Sequence, residues 1–477
     1  MSLLLNRSAI FTCGLYLSMV SAAPVLTPGV WKDITPSGTN MEVSDGYGFN
    51  DIQFDPQNPS VLYVCVDEKT AVHPPALFKS VNSGESWTRI GNFDAPTHMY
   101  VDPTNSQHLY LIQGVRGSTQ GFWISNDGGN TWTLSSSYMA AVADPRIANN
   151  DPYNLSVNPK NPNHILLMFH TGWAAYLKVP GQRNVDDDNA GFLESKDGGS
   201  SWRIILPRPN SDWHGVGYIV TFLMDPAHNQ GDEKTWLLGT QRGGFWRTTD
   251  AGETWTQVSK EWMSHGGMQL LYTKTGRIYV AAKNCLIRSD DNGITWTKIT
   301  NGLPSDWNGD YYAVLSDGNT LYTQPGMWRQ STQRPIYSSP ESDGLTWAPY
   351  NGGKQLFHSG IYNGVYDKKN QILYTANWMN GVWALKPLNP DWTTNIGPKE
   401  TKSFKNTRQG IVINPEMNVS RVNFIDMHGR IIKSRTVTPG FGSRISFDGL
   451  QPGIYTVIMK ADGVKVSNTK IVVGGNQ

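Results

Sequence analysis

One eight-residue pattern recurs along this 477-residue chain and constrains its fold more than any other feature. The pattern, Ser/Thr-x-Asp-x-Gly-x-Thr/Ser-Trp, stands at 125–132, 195–202, 248–255 and 289–296, centred on Asp127, Asp197, Asp250 and Asp291. A copy at 80–87 carries Asn82 in place of Asp, and a degraded copy runs from Ser339 to Trp347. An Asp carboxylate can accept hydrogen bonds from turn amides, and the hydroxyl residue can close the same turn. The Gly supplies the positive φ that such a turn requires. The Trp opens the next strand and carries a large apolar surface into a core. Apolar runs such as Gly121-Phe122-Trp123 and Gly244-Phe245-Trp246 come before the pattern, and polar alternation comes after it. Each copy is therefore expected to join two antiparallel strands.

A second repeat runs in register with the first. Asp55-Pro56-Gln57-Asn58-Pro59 returns as Asp102-Pro103-Thr104-Asn105, Asn158-Pro159-Lys160-Asn161-Pro162 and Asp225-Pro226. Together the two repeats divide Gly29 to Lys386 into seven units of roughly 40–70 residues, the period of a propeller blade. The last unit has no fourth strand after Leu385, while Gly29 to Thr35 has an outer-strand pattern and no partner of its own. That segment is expected to close the ring, because an open ring would expose an unpaired strand edge.

The repeated pattern is the Asp-box, and the chain resembles the bacterial-neuraminidase-repeat, sialidase-like β-propellers over about residues 80 to 350. The resemblance implies an all-β fold, a seven-bladed β-propeller over 23–386, with the boxes between outer strands on the face away from any active site. It does not carry an activity across. Sialidases bear a Phe/Tyr-Arg-Ile-Pro motif near the start and three arginines, and here Arg146-Ile147 follows Pro145 in the wrong order and the wrong unit. Xyloglucanase-type enzymes, which resemble two such propellers together, place an Asp in an early Thr-Asp-x-Gly-Gly motif. The corresponding Val66-Asp67-Glu68 lacks the glycines.

Residues 1–22 read as a secretory signal, with Arg7, an apolar stretch from Ala9 to Val20 and a small-residue site at Val20-Ser21-Ala22. Beyond it no run of 18 apolar residues indicates a membrane span. The 40 Lys and Arg against 39 Asp and Glu exclude a global attraction to nucleic acid or anionic lipid. Residues 387–405, with Pro387, Pro390 and Pro398, read as a linker. Residues 406–477 form a different module of short alternating strands, expected to be a small C-terminal β-sandwich. Its landmarks are Asn414-Pro415, Phe424 to Arg430, Leu450 to Tyr455 and Lys470 to Val473, and these resemble the C-terminal sorting domain of the type IX secretion system. That resemblance implies a protein exported from a Gram-negative cell, extracellular or cell-surface, with the secretion machinery as a partner. Of the 3 cysteines, Cys13 lies in the signal, and Cys65 and Cys285 are expected as buried free thiols.

In a propeller, first strands start and second strands end at the mouth of the central channel, where pocket residues converge. Five of the 10 histidines fall at those positions: His98, His170, His214, His265 and His358. Arg146, Trp213, Tyr218, Arg242, Asp310, Tyr312, Trp328 and Trp378 fall there too, and the insertion from Gly172 to Ala190, with Trp173 and Tyr176, is expected to overhang the same face. Aromatics interleaved with cations suit sugar rings that carry acidic groups. The first functional reading is a polysaccharide lyase cleaving a uronate-containing glycan. It has His170 and His214 as base and acid, Arg242 on the carboxylate, and His98, Arg146, Trp173, Tyr176, Tyr218, His265, Trp328 and His358 binding substrate. A glycoside hydrolase using Asp45, Asp151 and Asp310, or a non-catalytic glycan-binding or assembly propeller, are the alternatives. No cofactor is expected, although the run Asp186-Asp187-Asp188 offers oxygen ligands for Ca²⁺. The protein is expected to be a monomer.

Overall fold

The computed structural model describes residues 25–388 and 404–473. Within these it omits 37–47, 67–75, 115–119, 145–146, 148–149, 171–190, 207–212, 214–216, 226–229, 265–266, 268, 305–308, 327–333, 351–355, 358–359, 379, 408–409, 414–419, 427–429, 439–442 and 462–463. The chain divides into two compact units, Met1–Trp392 and Thr393–Gln477.

In the first unit, seven four-stranded antiparallel sheets among the described residues follow one another along the chain. The first is Phe49–Phe54, Leu62–Val66, Ala76–Ser80 and Thr88–Ile90. The second to fifth repeat this order from inner strands Pro96–Val101, Pro152–Asn158, Gly217–Asp225 and Leu270–Tyr272. The sixth is Leu315–Ser316, Thr320–Thr323, Tyr337–Pro340 and Ala348–Pro349. The seventh takes Asn363–Asp367, Ile372–Asn377 and Gly381–Leu385 from the end of the unit and Trp31–Asp33 from its beginning. Trp31 lies opposite Leu385 and Asp33 opposite Trp383, so the N-terminal segment is the missing outer strand.

Apolar side chains fill the seams between consecutive sheets. Tyr63, Cys65 and Leu77 meet Met99, Leu109 and Leu111 between the first and second sheets. Met168 and Phe192 meet Val220, Trp236 and Leu238 between the third and fourth. The seam of Phe49, Ile52 and Val64 with Tyr374, Ala376 and Val382 joins the seventh sheet to the first. This is a propeller-like, nearly all-β arrangement. The strand alternation hides one face of each sheet against the next.

The repeated turns have one geometry. In the copy at 248–255, Thr254 N and Thr248 Oγ1 both donate to Asp250 Oδ1, at 2.9 and 2.7 Å, and Gly252 N donates to Thr248 Oγ1 at 3.1 Å. Ala251 and Gly252 are both left-handed, with φ of 59° and 83°. Asn82 keeps the backbone bond from Ser86 N at 2.9 Å, and its amide now donates to Ser86 Oγ. Each of these turns follows a third strand. Since the second strand ends at one face and the third runs back, the turns lie at the opposite end of the sheets from the mouth.

Two features depart from the expected pattern. A seven-residue helix, Ser136–Val142, interrupts the link from the second to the third sheet, capped by Ser135 and anchored by the buried Tyr138. Trp213, expected at the mouth, is wholly buried in the seam between third and fourth sheets, 5.0 Å from Trp255. Cys65 and Cys285 are both buried, and neither is in a disulfide.

In the second unit, a three-stranded sheet (Phe404–Thr407, Gly410–Ile413, Ser443–Ser446) and a four-stranded one (Arg421–Ile425, Ile431–Thr436, Gly453–Ala461, Val464–Val473) share a core of Ile411, Phe424, Ile445, Val457 and Met459. Its first described strand begins at Phe404, two residues before the expected start at 406.

Candidate functional site at the mouth

The first strands of sheets one to four share a bulge near their starts, at Asn50, Thr97, Tyr153 and Tyr218. A bulge puts one extra residue into the strand and re-aims the side chains around it. The residue after the bulge then reaches sideways to the next sheet. Met99 N donates to Asp51 Oδ2 at 2.9 Å, Leu155 N to His98 Nδ1 at 3.2 Å, and Val220 N to Asn154 Oδ1 at 3.2 Å. Asn363 of the seventh sheet closes this series by donating to Asp51 Oδ1 at 2.6 Å. Burial pushes the Asp51 carboxyl upward, opposed by His98 and the Met99 amide. His98 is thus placed between inner strands, 3.6 Å from Asp51 through its Nε2 and 9% exposed.

Nearer the mouth, the bulge positions and their counterparts supply aromatic side chains that converge from different sheets. Tyr153 Oη and Tyr362 Oη lie 2.5 Å apart, the third sheet meeting the seventh. Tyr218 packs 5.6 Å from Tyr153, Tyr312 lies 5.0 Å from Tyr362, and Trp378 lies 4.6 Å from Tyr362. All five rings are buried.

His170, immediately after the second strand of sheet three, stands 5.0 Å from Tyr153 and 5.9 Å from Tyr218, ring to ring. Its backbone N–H donates to Asp151 O at 2.8 Å, and its Nδ1 is 3.4 Å from Asp151 Oδ2. Both side chains are almost fully buried, so this approach is shielded from solvent. Tyr218 lies in the field of Tyr153, Asp310 and Tyr312 on one side and of Arg242 on the other. Burial, with those neighbours, holds its phenol well above the usual range despite Arg242. A phenol kept neutral donates a hydrogen bond well and abstracts a proton poorly. Arg242 is exposed on the turn after the second strand of sheet four. Asp310 is half-buried and bridges backbone to backbone with Lys283 of the fifth sheet.

The mouth therefore brings together His170, Tyr218 and Arg242 from the expected set, with Asp151 and Asp310. His98 lies deeper. His214, Arg146, Trp173, Tyr176, His265, Trp328 and His358, together with Asp45 and the run Asp186 to Asp188, lie outside the described residues. Among the described residues no group of three or more His, Cys, Asp or Glu is arranged to hold a metal ion. Sequence reasoning missed Tyr153 and Tyr362. The signal was there: Tyr153-Asn154 and Tyr362-Asn363 repeat the same pair at the start of two inner strands.

No family model matches the chain. Among curated proteins it is similar to a xyloglucanase of Hypocrea jecorina, 26% identical over 356 residues that cover 66% of this chain and 39% of that protein. A xyloglucanase of Paenibacillus sp is 24% identical over 387 residues, covering 70% and 34%. A third, from Acetivibrio thermocellus, is 25% identical over 382 residues, covering 74% and 39%. The chain spans less than half the length of these relatives. Among solved structures it is similar to YCF48 from Cyanidioschyzon merolae, with TM-score 0.49, 12% identity and coverage of 75% of this chain and 99% of that one. It is also similar to an ancestral GH74 enzyme, with TM-score 0.41, 16% identity and coverage of 94% and 64%.

Proposed function

We propose that residues 23–386 form a seven-bladed Asp-box β-propeller that hydrolyses a xyloglucan-type β-glucan at its mouth, with Asp151 and Asp310 as the carboxyl pair. The observation that carries this is the placement of two carboxylates around one buried aromatic cluster: Asp151 paired with His170, and Asp310 beside Tyr218. Glycoside hydrolysis needs one carboxyl to protonate the leaving oxygen and another to serve as base or nucleophile. In this reading His170 positions Asp151, and Tyr218 remains a neutral donor. Arg242 adds a cation at the rim. The xyloglucanase relatives support the substrate class.

The lyase reading, with His170 and His214 as base and acid and Arg242 on a uronate carboxylate, weighs less. The curated relatives carry hydrolase names. We further propose secretion through the 1–22 signal and a C-terminal β-sandwich over 406–477, beyond the 387–405 linker, that serves type IX sorting.

Incubation with xyloglucan, cellulose oligomers and polygalacturonate tests the reading. Hydrolysis gives new reducing ends without ultraviolet absorbance, and these ends should fall away in Asp151→Asn and Asp310→Asn. Rising absorbance from unsaturated uronates means elimination and overturns it. Binding with no product marks a propeller that binds glycan without cleaving it.

A further inference from the structure

Beside the mouth lies a second feature that the hydrolytic reading does not use. The chain after the fourth sheet passes through Lys260, Glu261 and Trp262 before it reaches the fifth. Met263 bridges Ala282, Lys283 N donates to Trp262 O at 2.9 Å, and Asn284 N donates to Gly309 O at 2.6 Å. Lys283 and Asn284 are the two loop residues of a hairpin closed by Ala282 and Cys285. Asn284, the second loop residue, takes the left-handed conformation, φ 54°. Three backbone segments are thereby tied side by side, and they present Trp262, Lys283 and Asp310 on one strip.

Trp262 is 44% exposed, the one aromatic among the exposed large apolar side chains of the described residues. Leaving an indole in water forfeits the stabilisation its burial would bring. The Lys283 ammonium sits 5.2 Å from the ring centre. Around them is a cavity of about 300 Å³ lined by Lys260, Glu261, Trp262, Lys283, Asn284 and Lys298. Lys298 neutralises Glu261 at 2.8 Å, which leaves Lys260 and Lys283 as a net positive pair, neither meeting a carboxylate among the described residues. Burial and the Glu261 carboxylate push the Cys285 thiol up to about 12, so it adds no negative charge at neutral pH.

From this we infer that Trp262, Lys283 and Lys260 form an accessory subsite for a sugar unit bearing a carboxylate, held beside Asp310. The indole offers a stacking surface for the ring, and the two ammonium groups offer charge-assisted contacts to the acid. The inference rests on the reading of the mouth as a carbohydrate site, goes beyond the neutral xyloglucan-type backbone in taking an acidic unit, and does not depend on hydrolysis.

Calorimetric titration of the full chain with tetragalacturonate and with cellotetraose tests it, because binding is read whether or not turnover occurs. The acidic ligand should bind more tightly, and its advantage should shrink between about 0.05 and 0.5 M salt as the charges are screened. Trp262→Ala and Lys283→Met should each weaken tetragalacturonate about tenfold, the scale of one lost charge-assisted or stacking contact. Lys283→Met should leave cellotetraose unchanged. Equal affinity for the two ligands, or unchanged tetragalacturonate affinity in both variants, overturns the subsite. Lys283→Met keeps the length of the side chain and the hairpin backbone, so it still reports if Trp262→Ala folds poorly. Absence of reducing ends from the wild-type chain on every glycan, with these affinities as expected, counts against the hydrolase reading alone.

Discussion

If the repeated turns are scaffold, Asp250→Ala should cost stability and nothing else. The carboxylate accepts three bonds: Thr248 Oγ1 at 2.7 Å, Thr254 N at 2.9 Å and Thr254 Oγ1 at 2.5 Å. A net contribution of about 0.5–1.5 kcal/mol per hydrogen bond bounds the loss from above. Asp250 is only half-buried and Thr254 is exposed, so water recovers part of it, and about 1–3 kcal/mol is expected. Asp250→Asn should cost less, because Asn82 already performs the same turn with the backbone bond intact. Denaturant unfolding of both variants at neutral pH measures the difference, and product formation on the best glycan should be unaltered.

The acid limb adds a second check with a definite sign. Burial acts to raise Asp250, but the bonds from Thr254 and Thr248 outweigh it and leave the carboxyl below its ordinary value. A carboxyl depressed in the folded state contributes its stability above the unfolded value of about 3.9, and that contribution disappears as pH falls through the folded value. The gap between wild type and Asp250→Ala should therefore be full above about pH 4 and shrink below it. A gap that stays constant into strong acid refutes the carboxylate as its origin. Lost turnover with unchanged unfolding refutes the placement of these turns away from the mouth.

Three further outcomes are expected. Trp31→Ala, which removes a ring 4% exposed and packed on Leu315, Leu373 and Leu385, should cost about 3–5 kcal/mol in denaturant unfolding if this strand closes the ring. Asp151→Asn and Asp310→Asn should each keep the wild-type unfolding curve and lose a factor of about 10²–10⁴ in release of reducing ends. Asp51 has a carboxyl raised by burial, so its contribution is present below the unfolded value of about 3.9 and lost as pH rises through the folded one. Unfolding measured from acid to neutral pH should therefore favour Asp51→Asn progressively over wild type, and parallel curves would refute the assignment.

What was legible in the sequence follows from how local each interaction is. Every partner of Asp250 lies within four residues of it, so the turn can be read from one stretch. The missing outer strand was legible from a different kind of evidence, an unfilled place after Leu385 and a matching segment at Trp31. The helix over Ser136–Val142 had a local signal, a Ser cap before an alanine-containing run, and the strand repeat masked it.

The mouth obeys the opposite rule. Tyr153 and Tyr362 touch across 209 residues, and Asn363 bonds Asp51 across 312. No spacing along the chain encodes such pairs; only the closure of the sheets into succession makes them neighbours. The same closure separates residues that sequence position treats as equivalent. His98, in the first strand of sheet two, and His170, just past the second strand of sheet three, were both expected at the mouth. The bulge in sheet two turns His98 onto the Leu155 amide, while His170 lies just past the end of its strand and meets Asp151. His98 is placed by the bulge of its own first strand, and His170 by the end of a second strand. Moving the bulge of sheet two by one position should therefore turn His98 off the Leu155 amide and leave His170 beside Asp151.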